Sequence, residues 1–320
     1  MDNSEDKDAR KVGVTIVTPM FNSSRYISQV ISSIQSQKCD GIDIEFILID
    51  NGSEDDSVDI AEKLGVKVIS MPKATIAQMR NYGAGISSGH VIMFVDSDCV
   101  LPTRWVQNAV MLLNETENAG AVGGGYGLGD DPTWVEKEWV ERRKIRGGDV
   151  SFLSAGSLVL YKDLFLEVGG FDDKLITGED WDLSQKIISS GRRVVLKPEL
   201  EVKHLGNVRT LRGMFRKERW YGLGMIDNLK HGLLSKPLIA AIIFILLHAL
   251  ILVFILAGSI NGAVLVFSLL ILLVMTVVVY LLRGSTRKNF LSYFRMIPIA
   301  YTYLLGRSAA LMDIVFNMRK

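Results

Sequence analysis

Between residues 12 and 100 the chain alternates two hydrophobic rhythms. Short runs rich in β-branched residues, VGVTIVTP (12–19), IEFILID (44–50), VKVIS (66–70) and HVIMFVD (90–96), read as strands. Between them, residues 26–37, 57–64 and 76–86 carry apolar residues at helical spacing. Strand–helix alternation predicts an α/β fold with a mostly parallel sheet, whose ligands bind beyond the C-terminal ends of the strands. Those ends carry the unusual residues: Thr18-Pro19, Asp50-Asn51-Gly52-Ser53 and Asp96-Ser97-Asp98. Two carboxylates that close raise each other's pKa unless a cation or a hydrogen-bond donor lies between them. They face bulk water in a turn, or they await something positive.

A third rhythm begins after residue 230. From Pro237 to Leu282 there is no Asp, Glu, Lys or Arg. A spanning helix needs about 20 apolar residues, and this run holds two such stretches, about 238–257 and 263–282, parted at GSING. A helix apolar on every face for so long reads as a membrane hairpin rather than a core element. Lys230 and Lys236 flank its entry, and Arg283, Arg287 and Lys288 its exit. The positive-inside rule then places both ends in the cytoplasm. The following segment, about 290–316, is interrupted by Arg295, Pro298, Arg307 and Asp313, and reads as an interfacial or third helix. His248 falls mid-span, where a neutral imidazole bonded to a neighbouring helix is expected.

Composition narrows the choices. Lys plus Arg number 36 against 35 Asp plus Glu, so bulk charge gives no footprint for nucleic acid. Cys39 and Cys99 form neither a disulfide framework nor a CxxC metal site. Residues 1–11 are polar, without a signal-peptide core, and read as a disordered tail. The first strand is followed by TPMFNSS instead of GxGxxG, and no Walker sequence occurs. GGGYGLG (123–129) comes too late for a phosphate loop and reads as a flexible loop. Nucleotide phosphates would therefore need a metal, and Asp96 and Asp98 offer the hard oxygen ligands that Mg²⁺ or Mn²⁺ favours.

An ordered set of motifs carries a family resemblance: VTIVTPMFN, IDNGSEDDS, MRNYGAGISSG, FVDSDCVLP, GSLVLYKDLFLEVGGFDDKLITGEDWDLSQKI and FRKERW. Over about residues 12–222 the chain resembles the inverting glycosyltransferases of family 2, with the GT-A fold. The resemblance implies a metal-dependent enzyme with a nucleotide-sugar donor, a UDP- or GDP-sugar foremost, and a glycan or lipid-linked acceptor. It divides the chain into the tail, a catalytic domain over 12–230 and a membrane region over 231–320, the catalytic domain lying in the cytoplasm.

Carried over by motif, Pro19, Asp50, Arg80 and Asp96 would line the donor pocket, and Asp98, with Asp96, would hold the metal. His204, in VKHLG, is an additional candidate for metal ligand or diphosphate contact, with a structural role the commoner one for a lone histidine. Asp180 would be the general base, with Glu179 and Asp182 supporting it and Asp182 near the acceptor. Arg216-x-x-Arg219-Trp220 stands close to the QxxRW of membrane polysaccharide synthases: the arginines would meet the leaving diphosphate and Trp220 an acceptor sugar. Two departures stand out, Asn51 where the family often has Asp, and Arg216 for Gln. Bland readings exist for each: turn chemistry for Asp50, helix N-terminal acids for 179–182, and membrane-surface anchoring for 212–222. DSDCVL also matches the start of a haloacid-dehalogenase-type phosphatase, though three strand–helix units precede it here. Within the transferases, a polyprenyl-phosphate sugar synthase and a processive polysaccharide synthase are the alternatives to non-processive transfer to a hydroxyl.

Overall fold

In the computed structural model, which describes residues 12–140, 146–175, 177–230, 235–258 and 290–316 and short pieces within 262–274, the strand-rich part forms around one eight-stranded sheet. Its strands are β1 (Val12–Met20), β2 (Ile42–Asp50), β3 (Val68–Ser70), β4 (Val91–Val95), β6 (Ala119–Gly123), β8 (Gly148–Asp149), β9 (Ser157–Tyr161) and β10 (Arg193–Leu196), in the order β3-β2-β1-β4-β9-β6-β10-β8. The first four strands are parallel to one another, as is β6 to β10, but β9 runs antiparallel between β4 and β6, and β8 antiparallel to β10. The sheet is therefore mixed, a correction to the mostly parallel expectation.

Period-2 burial explains why β4 has no polar position. Val91, Met93 and Val95 face one core, with Val14, Ile16 and Trp105; Ile92 and Phe94 face the other, with Val17, Ile49 and Leu158. A strand covered on both faces reads as an unbroken apolar run. Helices α1 (Ile27–Gln35), α2 (Ser57–Lys63), α3 (Ile76–Ile86), α4 (Trp105–Glu115), α6 (Lys162–Glu167) and α7 (Glu179–Ser189) supply the covers. Helix α3 starts with a capping box, Thr75 and Gln78 each accepting from the other's backbone N–H.

A second, three-stranded sheet orders β5 (Cys99–Val100), β11 (Val202–His204) and β7 (Tyr126–Gly127) as β5-β11-β7. It places strands within the glycine run expected to be a flexible loop: β6 ends at Gly123 and β7 holds Tyr126.

The chain divides into two units, one from the described residues of 1–129, 145–174 and 179–206, the other from those of 130–144, 175–178 and 207–320. The second contains α5 (Trp134–Trp139), α8 (Leu211–Lys230), α9 (Lys236–Leu256) and α10 (Phe290–Val315). Thus α8, placed by sequence in a catalytic domain over 12–230, groups with the C-terminal helices. Among the described residues α9 is the one helix long and apolar enough to cross a membrane, with little of its surface covered. The second expected span, about 263–282, lies largely outside the described residues.

In this second unit α10 packs along α8 around Met214, Ile299, Ala300 and Leu304. Two of its three charged residues, Arg307 and Asp313, face inward. Asp313 accepts a two-pronged contact from Arg219 (2.6 Å each), and Arg307 donates to Glu218 (2.9 Å). Glycines allow the close approach, since a Cβ at Gly306 would come within 2.9 Å of the Phe215 carbonyl. His248 meets the expectation of a bonded imidazole: Nδ1 lies 2.8 Å from the Phe244 carbonyl and Nε2 3.2 Å from the Tyr301 hydroxyl of α10.

Candidate active site

The Asp96-Ser97-Asp98 turn sits just beyond the C-terminal end of β4, closed by the Cys99 N–H donating to the Asp96 carbonyl (3.0 Å). The serine between the acids is held by a hydrogen bond with the Ser23 hydroxyl (2.7 Å), which fastens the turn to the loop after β1. The two carboxylates diverge into different surroundings.

Asp96 points inward. Its Oδ1 accepts from Arg80 Nη2 at 2.6 Å and its Oδ2 from the Tyr126 hydroxyl at 3.0 Å. Burial pushes its pKa up, but the Arg80 charge and hydrogen bond outweigh that and hold it below the usual range. The Tyr126 hydroxyl in turn accepts from the Gly156 N–H (3.1 Å). Residue 156 must be glycine here, because a Cβ would overlap both that hydroxyl and the Asp96 carboxylate.

Asp98 turns toward β11. Because His204 pairs with Cys99 in the small sheet, its ring falls beside the turn, with Nε2 3.4 Å from Asp98 Oδ2. Tyr126, next to β11 on its other side, stacks on the same imidazole at 4.4 Å. Asp98, Cys99 and His204 each have a ligand atom within 4.8 Å of the others'. Burial, then the neighbouring aspartates, push the Cys99 thiol well above its ordinary pKa, so it stays protonated and a poor ligand. A carboxylate and an imidazole remain, a donor set that suits a divalent ion and leaves positions for phosphate oxygens and water. Gly206 shapes the cradle, since a Cβ there would overlap the Asp98 carboxylate.

The second acidic cluster opens α7. Glu179 is buried and accepts from Arg80 Nη1 at 2.8 Å. Asp180 accepts the Trp181 N–H (2.8 Å), and its pKa is raised to about 6, by burial first and then by the Glu179 charge. Asp182 pairs with Lys186 one turn on (2.8 Å).

Other predicted residues are placed differently. Pro19 and Asp50 lie at the ends of β1 and β2, both buried. Asp50 closes its own turn, accepting the N–H groups of Gly52 (2.8 Å) and Ser53 (2.9 Å) and the Ser53 hydroxyl (2.5 Å). On α8, Arg216 and Trp220 are exposed while Arg219 is engaged by Asp313. Tyr126, Gly156 and Gly206 were not singled out from sequence, and GGGYGLG, dismissed as a loop, was the one signal for Tyr126.

Comparison with known proteins bears on the family and the fold. Residues 15–166 match the model of glycosyl transferase family 2, and residues 144–310 that of glycosyl transferase family 21. Glycosyltransferase AglE of Haloferax volcanii is 25% identical over 56% of this chain and 62% of its own length. The glucosyl-dolichyl phosphate glucuronosyltransferase of the same organism is 23% identical over 61% of this chain and 69% of its own. This chain thus spans somewhat under two thirds of AglE. Among solved structures, the mannosyltransferase PcManGT from Pyrobaculum calidifontis, in complex with GDP-Man and Mn²⁺, superposes with a TM-score of 0.63 at 17% identity, covering 95% of this chain and 88% of that one. The chain belongs to the glycosyltransferases, with a GT-A-like fold: residues 15–166 match the family 2 model and the longer stretch 144–310 matches that of family 21.

Proposed function

We propose that the protein transfers a sugar from a nucleotide-sugar donor to an acceptor hydroxyl by a single displacement with inversion. The observation that carries this reading is Arg80, whose two ion pairs join the donor-side Asp96 to the Glu179-Asp180 cluster in one network. Asp98 and His204 would hold a divalent ion, for which the imidazole favours Mn²⁺ over Mg²⁺. When bound, that ion supplies positive charge opposite the leaving diphosphate. Asp96, with both oxygens engaged by protein, orients the turn instead of ligating the ion.

Asp180 accepts the acceptor's proton. A base working near pH 7 is best with a pKa not far below, and a carboxylate lifted to about 6 approaches that condition. A phosphate acceptor would need no base, so the raised Asp180 favours a hydroxyl. Mannosyl and glucuronosyl transfer by relatives leave the sugar open, with a lipid-linked or glycan acceptor the class in view.

The protein works at the cytoplasmic face of a membrane in this reading. Helix α9 spans the bilayer, and α10, which packs along α9 from Ala241 to His248, enters the membrane beside it. The support is a stripe of exposed apolar residues on one side of α10, Leu291, Phe294, Leu305 and Met312, opposite the inward charges Arg307 and Asp313. An outward apolar face beside a spanning helix suits contact with lipid.

Calorimetry of UDP, GDP, CDP and dTDP with the detergent-solubilised protein, with and without Mn²⁺, tests the donor site. One diphosphate binding only with metal, and losing that binding in Asp98→Asn, is expected. Metal-independent binding, or none, sinks the reading.

A further inference from the structure

The geometry points to Arg80 as a positioning residue that couples the two halves of the reaction centre: through its fork on Asp96 and Glu179, filling the donor pocket fixes the first turn of α7, which carries Asp180. The inference rests on the glycosyltransferase reading above and goes beyond it. There Arg80 was a static bridge between two acidic clusters. Here it is the mechanical link between donor and base.

Burial rules out a direct grip on the nucleotide. The Arg80 side chain is 3% exposed, and its two terminal nitrogens are each spent on a carboxylate, at 2.6 and 2.8 Å. Its flat face lies over the Phe171 ring at 5.4 Å, which closes the remaining approach. The neighbouring residue repeats the pattern. The Asn81 side chain donates to the Phe171 carbonyl (2.8 Å) and accepts from the Phe171 N–H (3.0 Å). One turn of α3 thus grips Phe171 with Asn81 and Glu179 with Arg80.

The linkage extends to the donor side. The Asp96 oxygen that Arg80 leaves open is taken by Tyr126, whose ring stacks on His204. A continuous chain therefore runs from His204 through Tyr126, Asp96 and Arg80 to Glu179. Each joint is a stacked ring or a buried or half-buried hydrogen bond, so displacement at one end is carried rather than absorbed. Lysine cannot replace this arginine, because one ammonium lacks the rigid fork that reaches two carboxylates at once.

Hydrogen–deuterium exchange of the full chain, with Mn²⁺ alone and with Mn²⁺ plus each of UDP, GDP, CDP and dTDP, reads the coupling. In the unaltered protein, the diphosphate that binds should slow exchange at 96–98 and also at 179–189. In Arg80→Lys its affinity should hold to within about tenfold, inside the range usual for coupled sites, with slowing kept at 96–98 but lost at 179–189. Unchanged exchange at 179–189 on binding to the unaltered protein, or slowing there that survives Arg80→Lys, overturns the inference. Should Arg80→Lys fail to fold, Glu179→Gln takes its place, keeping an acceptor but dropping the charge. Undiminished slowing at 179–189 in that variant overturns it equally. If no diphosphate binds with Mn²⁺ to the unaltered protein, the donor-site reading itself has failed and the inference goes with it.

Discussion

Asp180→Asn should make this protein more stable while stopping transfer. The folded-state pKa of Asp180 is about 6 against an ordinary 3.8, because burial and the Glu179 charge both disfavour its ionised form. Between those two values the folded chain holds a proton that the unfolded chain has released, so stability falls as pH rises from 4 to 6. Above that the penalty is complete, and the roughly two-unit shift makes it about 3 kcal/mol. Asparagine removes the charge and keeps an oxygen for the Trp181 N–H. Thermal unfolding at matched scan rates should therefore show the variant several degrees more stable at pH 8, with the gain shrinking toward pH 4. Transfer by the unaltered protein should fall off on the acid side with a midpoint near pH 6. A variant no more stable at pH 8, or one whose gain is the same at pH 4.5, would refute the reasoning. Full transfer activity in the variant would remove Asp180 as the base.

Other expectations are equally specific. Gly206→Ala should fold normally, because its Cβ meets the movable end of a side chain, yet weaken Mn²⁺ binding by displacing the Asp98 carboxylate; paramagnetic resonance of bound Mn²⁺ reads this directly. Arg219→Ala should destabilise more than Asp313→Ala, since the first takes a two-pronged partner from a buried carboxylate and the second takes one from a half-exposed guanidinium, and the double variant should lose less than the sum of the two, as a thermal double-mutant cycle would show. A nitroxide on a cysteine at position 305, in a Cys39→Ser background, should be relaxed by oxygen more than by a water-soluble nickel chelate in nanodiscs; the reverse order would take the α10 face out of the membrane.

The sequence showed clearly what local periodicity controls. Strands β1 to β4 and helices α1 to α3 lie close to their expected places, because each buries a face that its own residues spell out. The Asp96–Asp98 turn and the Glu179–Asp182 cluster were likewise visible, as acids ending or opening apolar elements. What escaped was long-range. No turn signal announces that β9 inserts antiparallel between β4 and β6, since its partners are far away in sequence. Strands β5 and β7 are two residues each, too short for any alternation, yet they deliver Cys99 and Tyr126 to His204. The motif put Arg80 near the nucleotide as an expectation, but its fork could not be read without knowing that residues 96 and 179 both meet it.

The inward-facing charges of α10 also bear on how the chain is made. Glu218 and Arg219 emerge from the ribosome before Arg307 and Asp313 exist to meet them, with the apolar α9 translated in between. Helix α8 must therefore wait, its acid and its guanidinium hydrated, until α10 has been synthesised and folds back along it. Completion of this unit is an event late in biosynthesis, after the whole of α9 has been translated.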